Sequence, residues 1–310
     1  MRQFNCAVIL GATATGKTAF AVKLARAKNG EIISADSRQV YRGLDLGAGK
    51  DLQEYGDLPY HLIDVCDLNR EFTVFHFQQA VYRIFPQLLQ KGTLPVIVGG
   101  TGLYLDAILR GYELIPVPEN PALRKKLAEK TMRELQSMLL QLKPDLHNKT
   151  DLEQPERLIR AIEIADYRRK RPECTAERQG NRPQIVPKTY GIFFERNVLR
   201  ERIRRRLIDR IDAGMIEETE WIHSRGYSWE RLESLGLEYR FTARYLQGKI
   251  ETKEAFMEQL YRAICQFAKR QQTWFRRMTK NGIDIEIIDG SVAEQLTSED
   301  ILQSGCFSCL

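Results

Sequence analysis

Residues 6–28 read "CAVILGATATGKTAFAVKLARAK". The opening "CAVIL" is an unbroken apolar run, the pattern of a strand buried on both faces. "TAFAVKLARAK" carries Phe20, Leu24 and Ala27 at helical spacing, and Asn29-Gly30 ends that helix. Between them, "GATATGKT" (11–18) matches G-x-x-x-x-G-K-[ST] at every fixed position. A strand turning through such a loop into a helix leaves backbone N–H groups without internal partners. They converge where the positive end of the helix dipole also lies. This is a phosphate-holding loop. Gly11 and Gly16 permit close approach, Lys17 adds a full charge, and Thr18 offers a hydroxyl to Mg²⁺, with Ala12, Thr13, Ala14 and Thr15 completing the cradle. The loop alone does not say which phosphate it holds: a nucleotide tail, or a diphosphate leaving something else.

Outward from the loop, "EIISAD" (31–36) and the all-apolar "PVIVGG" (95–100) read as further strands. "TGLYLDAILRG" follows the latter as a helix closed by Gly111. This βαβ rhythm predicts an α/β fold, a P-loop NTPase-like parallel sheet flanked by helices. From about Pro116 the pattern turns helical, over 117–142 and again over 155–171. No strand is evident until "TYGIFF" (189–194). The expected organisation is a catalytic core made of 1–114 and 189–297, a helical insertion at 115–188, and a tail at 298–310. The Pro-rich piece 171–187 reads as an exposed, flexible connection. In 198–224, Leu199, Ile203, Leu207, Ile211 and Met215 form a core-facing stripe. Residues 252–280 read as a long helix with Phe256, Leu260, Ile264 and Phe267 on its apolar side, and Arg262, Lys269, Arg276 and Lys280 along a basic face.

The composition, 43% hydrophobic and 28% charged, is that of a soluble globular protein, and no apolar run approaches the ~20 residues needed to cross a bilayer. The six cysteines show no disulfide-like framework, and the phosphate loop begins too early to leave room for a signal peptide. A reduced, cytoplasmic protein is expected, without a membrane partner and as a monomer. Cys306 and Cys309 have C-x-x-C spacing but no second pair to complete a zinc site. The net charge of +6 is compatible with a polyanionic partner without requiring one.

An NTPase would place a carboxylate at the end of the strand "PVIVGG"; here the carboxylate ends the neighbouring strand, as Asp36. In an open parallel sheet that position overlooks the phosphate loop. Alone, Asp36 reads equally as a helix cap, a metal ligand or a base. The segments "GATATGKT", "IISADSRQVYRGLDLGAGK", "YHLID", "VGGTGLYL", "PERLIRAIEI" and "AKRQQTWFR" resemble, in order and spacing, the bacterial tRNA dimethylallyltransferases. The resemblance runs from residue 6 to about 277, and its most specific parts are DS-x-QVY at 36–41 and KRQ-x-TWFR at 269–276.

That resemblance implies that the loop holds the diphosphate of dimethylallyl diphosphate, assisted by Mg²⁺, while N6 of adenosine 37 in a tRNA anticodon loop is alkylated. It assigns Asp36 as the base, and Thr13 and Arg206 as stabilisers of the leaving diphosphate. Asp36, Ser37, Arg38 and Gln39 would also grip the extruded adenine. Thr101, Arg124, Glu156, Arg157, Arg160, Lys269, Arg270, Gln271, Trp274 and Arg276 would contact the tRNA. From the residues themselves, Arg206 sits among six arginines in eleven positions, which also reads as a solvated or RNA-facing stripe. Trp274 reads as a stacking platform or as core packing, and Arg124 as an RNA contact or an ordinary surface charge.

Two departures stand out. "GAGKD" (47–51) replaces the family's T-A-K-P at the expected mouth of the pocket, and Glu238 in "LGLEYR" falls where a glycine belongs. An acidic residue facing tRNA phosphate is unfavourable, so that segment is either shifted or has lost its contact. Rival readings are an isopentenyltransferase acting on free adenine nucleotides, a small-metabolite P-loop kinase, and a non-enzymatic RNA-binding protein with a relic loop.

Overall fold

A computed structural model describes residues 4–142, 154–171 and 182–303. Six parallel strands form one sheet in the order β3-β2-β4-β1-β5-β6. They are β1 (Cys6–Gly11), β2 (Gly30–Ser34), β3 (Tyr60–His61), β4 (Leu94–Gly99), β5 (Pro187–Phe193) and β6 (Glu286–Asp289). The register sets Ala7 beside Val96 and Ile9 beside both Val98 and Tyr190. Because side chains alternate along a strand, β1 serves two cores at once. Ala7 and Ile9 pack with helix α1 (Lys17–Ala27), while Val8 and Leu10 pack with helices α2 (Val74–Gln90) and α3 (Gly102–Leu109). Burial on both faces is why the run is apolar without interruption. The parallel sheet flanked by helices matches the expected P-loop NTPase-like class.

A third core joins the phosphate loop to two later helices. Ala12 and Ala14 pack with Leu199, Ile203, Leu207 and Ile211 of an arginine-rich helix (Arg196–Asp212), and with Leu260, Ile264 and Ala268 of the long helix Lys253–Lys280. The loop is thus clamped between the sheet end and a helix pair. The stripe read through 198–224 is split in two, since Gly214, at φ 101, separates Arg196–Asp212 from Met215–Ser224.

The chain divides at Tyr112–Glu113 and again at Arg182–Pro183 into two compact units. The unit Glu113–Arg182 has its own small core of Leu127, Leu135, Leu139, Leu158 and Ile162. Most of the connection expected at 171–187 lies outside the described residues, as do Cys306 and Cys309. The tail expected from 298 needs correction. Ser298–Gln303 is helical and Ile301 is fully buried in the α1 core, so these residues belong to the packed body. The edge strands β3 and β6 escape sequence reading because they are two and four residues long and only half-buried, without an apolar run to mark them.

The C-terminal ends of β2 and β4 touch closely. A methyl group at Gly99 would lie 2.2 Å from the Ala35 carbonyl oxygen and 2.5 Å from its carbon. Only a residue without Cβ lets β4 pass there, directly before Asp36. Gly99→Ala should therefore force the two strand ends apart, with a loss of about 3 kcal/mol of stability, measured by urea unfolding; a loss under about 0.5 kcal/mol would show that the ends are not pressed together.

Candidate active site

The phosphate loop sits where the sequence requires it, between β1 and α1. Gly16 is the N-cap of α1 at φ 73, and no side chain caps the helix. Its first-turn amides are therefore left for an anion. Thr15 is buried and its hydroxyl donates to the Ala12 carbonyl at 2.9 Å, closing the turn from inside. Gly11, Ala12 and Ala14 are buried in the frame, whereas Thr13, Gly16, Lys17 and Thr18 keep access to solvent.

Two later segments complete the loop. Gln271, from the long helix, accepts from the Thr13 amide at 3.0 Å and donates to the Gly100 carbonyl at 2.8 Å. Arg206 donates to the Thr13 hydroxyl oxygen at 3.2 Å. With that lone pair engaged, the Thr13 O–H is left as a donor. Thr13, Ala14, Arg206, Arg210 and Glu238 line a narrow concavity, with an apolar wall of Ile203, Leu207, Met215 and Ile264. The pocket therefore has a cationic rim and a greasy side.

The electrostatics are strained in one direction. Lys17 is half-buried beside Arg206, and desolvation, and then that neighbouring guanidinium, pull it down to about 8. Desolvation and the adjacent Arg210 bring even Arg206 down to about 10. Three cations converge where little water remains to separate them, which favours a bound polyanion.

Asp36 follows β2 and is held by its surroundings. Its Oδ1 accepts from the Arg38 amide at 2.8 Å, and the Thr101 hydroxyl oxygen accepts from the Ser37 amide at 3.1 Å. Asp36 is close enough to Lys17 to favour that residue's charged form. The side chain of Arg38 lies along the turn at Gly236.

Several expected tRNA contacts are placed otherwise. Gln39 is buried, donating to the Gly49 carbonyl at 2.9 Å and accepting from Ser34 at 2.8 Å, so its amide holds a loop rather than facing a base. Gln271 is likewise buried and fully engaged. Trp274 rests against Gly102 beside the α3 core, with the Arg277 guanidinium 4.7 Å from its ring centre. Its indole N–H has no hydrogen-bond partner among the described residues. In the other unit, Arg124 donates twice to buried Glu163, and Arg160 pairs with the same carboxylate and with the Val117 carbonyl. These two arginines hold the unit's helices together, which the sequence did not distinguish from surface charges. Glu156, Arg157, Lys269, Arg270 and Arg276 are exposed.

Sequence reading passed over Arg210 and Asp51. A single Asp51 oxygen lies 3.2 Å from Arg206 and 3.4 Å from Arg210. The signal available was the i, i+4 spacing of the two arginines, obscured by the four others nearby. Glu238, expected in a segment that is shifted or has lost its tRNA contact, lines the pocket. Burial raises Glu238, and Arg210 and then Arg206 counter this.

Fold and loop together define an α/β protein of the phosphate-loop class. Residues 39–278 match the model of the family described as IPP transferase, and residues 4–56 match that described as isopentenyl transferase. A tRNA dimethylallyltransferase 2 of Treponema denticola is 60% identical over 91% of this chain and 94% of its own length. A tRNA dimethylallyltransferase of Treponema pallidum is 57% identical over 90% of this chain and 89% of its own. The crystal structure of a tRNA isopentenylpyrophosphate transferase from Bacillus halodurans superposes with a TM-score of 0.66, at 32% identity, over 92% of this chain and 90% of that one. The chain belongs to the IPP transferase family.

The lowered Lys17 gives a signed pH dependence. A bound anion favours the charged ammonium, so affinity is full below about 8 and is lost as pH climbs through that value. Calorimetric titration with inorganic pyrophosphate should show a roughly five- to tenfold weakening between about pH 7.5 and 9. Lys17→Arg, which stays charged, should remove that weakening; the same loss in both proteins would clear Lys17 of the effect.

Proposed function

We propose that this protein transfers a dimethylallyl group from dimethylallyl diphosphate to N6 of adenosine 37 in tRNA, acting as a monomer in the cytoplasm and releasing diphosphate. The observation that carries the reading is the contact of Arg206 with Thr13, which arms the phosphate loop from above with a cation and a free hydroxyl donor. Breaking an allylic C–O bond leaves positive character on carbon and sends the electron pair to the diphosphate oxygen. Donors fixed around that oxygen lower the barrier. The Thr13 hydroxyl, Arg206, Lys17 and the first amides of α1 are those donors. Ile203, Leu207, Met215 and Ile264 supply the apolar surface nearest the loop, toward which the prenyl group would lie.

The adenine N6 is a weak nucleophile because its lone pair is delocalised into the ring. As the C–N bond forms, the amine sheds a proton, and in this reading Asp36, which follows β2, takes it. The backbone turn that gives Asp36 one hydrogen bond through Oδ1 fixes its direction. The target base is stacked in an anticodon loop, so it must be extruded to reach the pocket. Lys269, Arg270 and Arg276, exposed on one helix, serve the surrounding phosphates.

Magnesium fits in a restricted way. Among the described residues no three carboxylate, histidine or cysteine side chains cluster as a metal cage. Among the described residues the Thr18 hydroxyl, at the start of α1, has no hydrogen-bond partner. One hydroxyl with phosphate oxygens and water is a usual environment for this ion. Thr18 would hold it, and the ion would supply further neutralisation of the diphosphate.

Incubation with labelled dimethylallyl diphosphate and unmodified tRNA should place label on the RNA. Label on AMP alone, or ATP-dependent phosphorylation, would instead select the free-nucleotide transferase or the kinase. Asp36→Asn should bind tRNA normally while turnover falls by about 10²- to 10⁴-fold; unimpaired turnover would remove Asp36 as the base. Arg276→Ala should weaken tRNA binding and reduce the slope of log affinity against log salt by about one, and an unchanged slope would count against the basic helix face.

A further inference from the structure

The segment "GAGKD" (47–51) is built to deliver one carboxylate. Lys50 is buried, and its ammonium donates to the Tyr41 carbonyl, to Asp45 at 2.7 Å and to Asp64 at 2.5 Å. The Glu218 carboxylate accepts from the amides of Asp45, Leu46 and Gly47 at 3.1, 2.7 and 3.1 Å, and Gln39 fixes the Gly49 carbonyl. At Gly49 the two arginines lie directly against the backbone: an added methyl would sit 1.9 Å from Arg210 and 2.5 Å from Arg206. The turn continues into Asp51 at φ 44, a left-handed conformation that Asp and Asn tolerate better than other side chains. Asp51 thereby reaches Arg206 at 3.2 Å and Arg210 at 3.4 Å with the same oxygen.

We propose that Asp51 is an internal counter-ion, which competes with the diphosphate for Arg206 and Arg210 and takes them back as the product leaves. This rests on the reading of the loop as a diphosphate site. The geometry fits a competitor better than a permanent brace. Asp51 is 44% exposed and holds both guanidiniums through one oxygen at long distance, without the bidentate geometry of a strong pair. Arg206 meanwhile directs its other terminal nitrogen to Thr13, inside the site. A carboxylate on a fixed loop offsets the mutual repulsion of the two arginines while the site is empty. It also makes the diphosphate, once cleaved from its carbon, easier to lose. Asp51 is in this sense a positioning residue that tunes affinity for substrate and product alike.

The test is titration of inorganic pyrophosphate into the wild-type chain, Asp51→Asn and Asp51→Glu, at low and high salt. Asn keeps the shape and the left-handed backbone while removing the charge. It should bind pyrophosphate roughly tenfold more tightly at low salt, with the gap closing as salt rises. Asp51→Glu, which keeps the charge, should stay within about threefold of wild type. In turnover, Asp51→Asn should show a lower KM for the prenyl donor and a roughly tenfold lower inhibition constant for pyrophosphate. A purely structural role would move neither in that direction. Equal or weaker binding by Asp51→Asn, or an equal tightening in Asp51→Glu, overturns the counter-ion role alone. Failure of wild type and variants alike to bind pyrophosphate removes the diphosphate reading and this proposal with it.

Discussion

The structure is organised around a concentration of like charge. Lys17, Arg206 and Arg210 are brought to one end of β1, in a place poor in water, at a cost visible in the lowered proton affinity of Lys17 and Arg206. A fold tolerates such a cluster only when compensation is built in or a ligand supplies it. Here the built-in part is Asp51 in contact, with Asp36, Glu54 and Glu238 close enough to be felt. The remainder is the anion that the uncapped end of α1 is shaped to receive.

Holding the cluster open is work for the backbone and for neutral side chains. Gln271 ties the loop amide of Thr13 to the Gly100 carbonyl, so one side chain of the long helix joins the phosphate loop to the end of β4. Gly99 allows β4 to press on Ala35, and Thr101 then takes the Ser37 amide, which fixes the stretch that carries Asp36. Asp36 and the phosphate loop follow different strands, and Gly99, Thr101 and Gln271 tie the two stretches together.

The sheet and the phosphate loop were legible because their signals are local: unbroken apolar runs and a spaced glycine-lysine motif. Asp36 was legible from its place at a strand end, and its role came from resemblance to the family. What stayed hidden is non-local. Nothing in "KRQ" distinguishes Lys269, which faces solvent, from Gln271, which faces the loop, until the helix is set against the sheet. Arg124 and Arg160 were expected at the tRNA by resemblance alone; that both pair with Glu163, one of them from 39 positions away, shows only once the helices are packed. The alternative of core packing for Trp274 is the one its surroundings support, since its ring lies against Gly102. The edge strands and Ile301 were missed because a short, half-exposed element carries too few apolar residues to show a period.

The two departures from the family pattern, Asp51 and Glu238, belong to one electrostatic arrangement rather than to separate accidents. Both put a carboxylate beside the same pair of arginines, one at the exposed rim and one within the pocket wall. Their surroundings separate their behaviour. Asp51 touches the guanidiniums and water, so it can let go without being stranded. Glu238 lies among Ile203, Leu207, Met215 and Ile264, where burial penalises its charge and the arginines provide the opposing stabilisation.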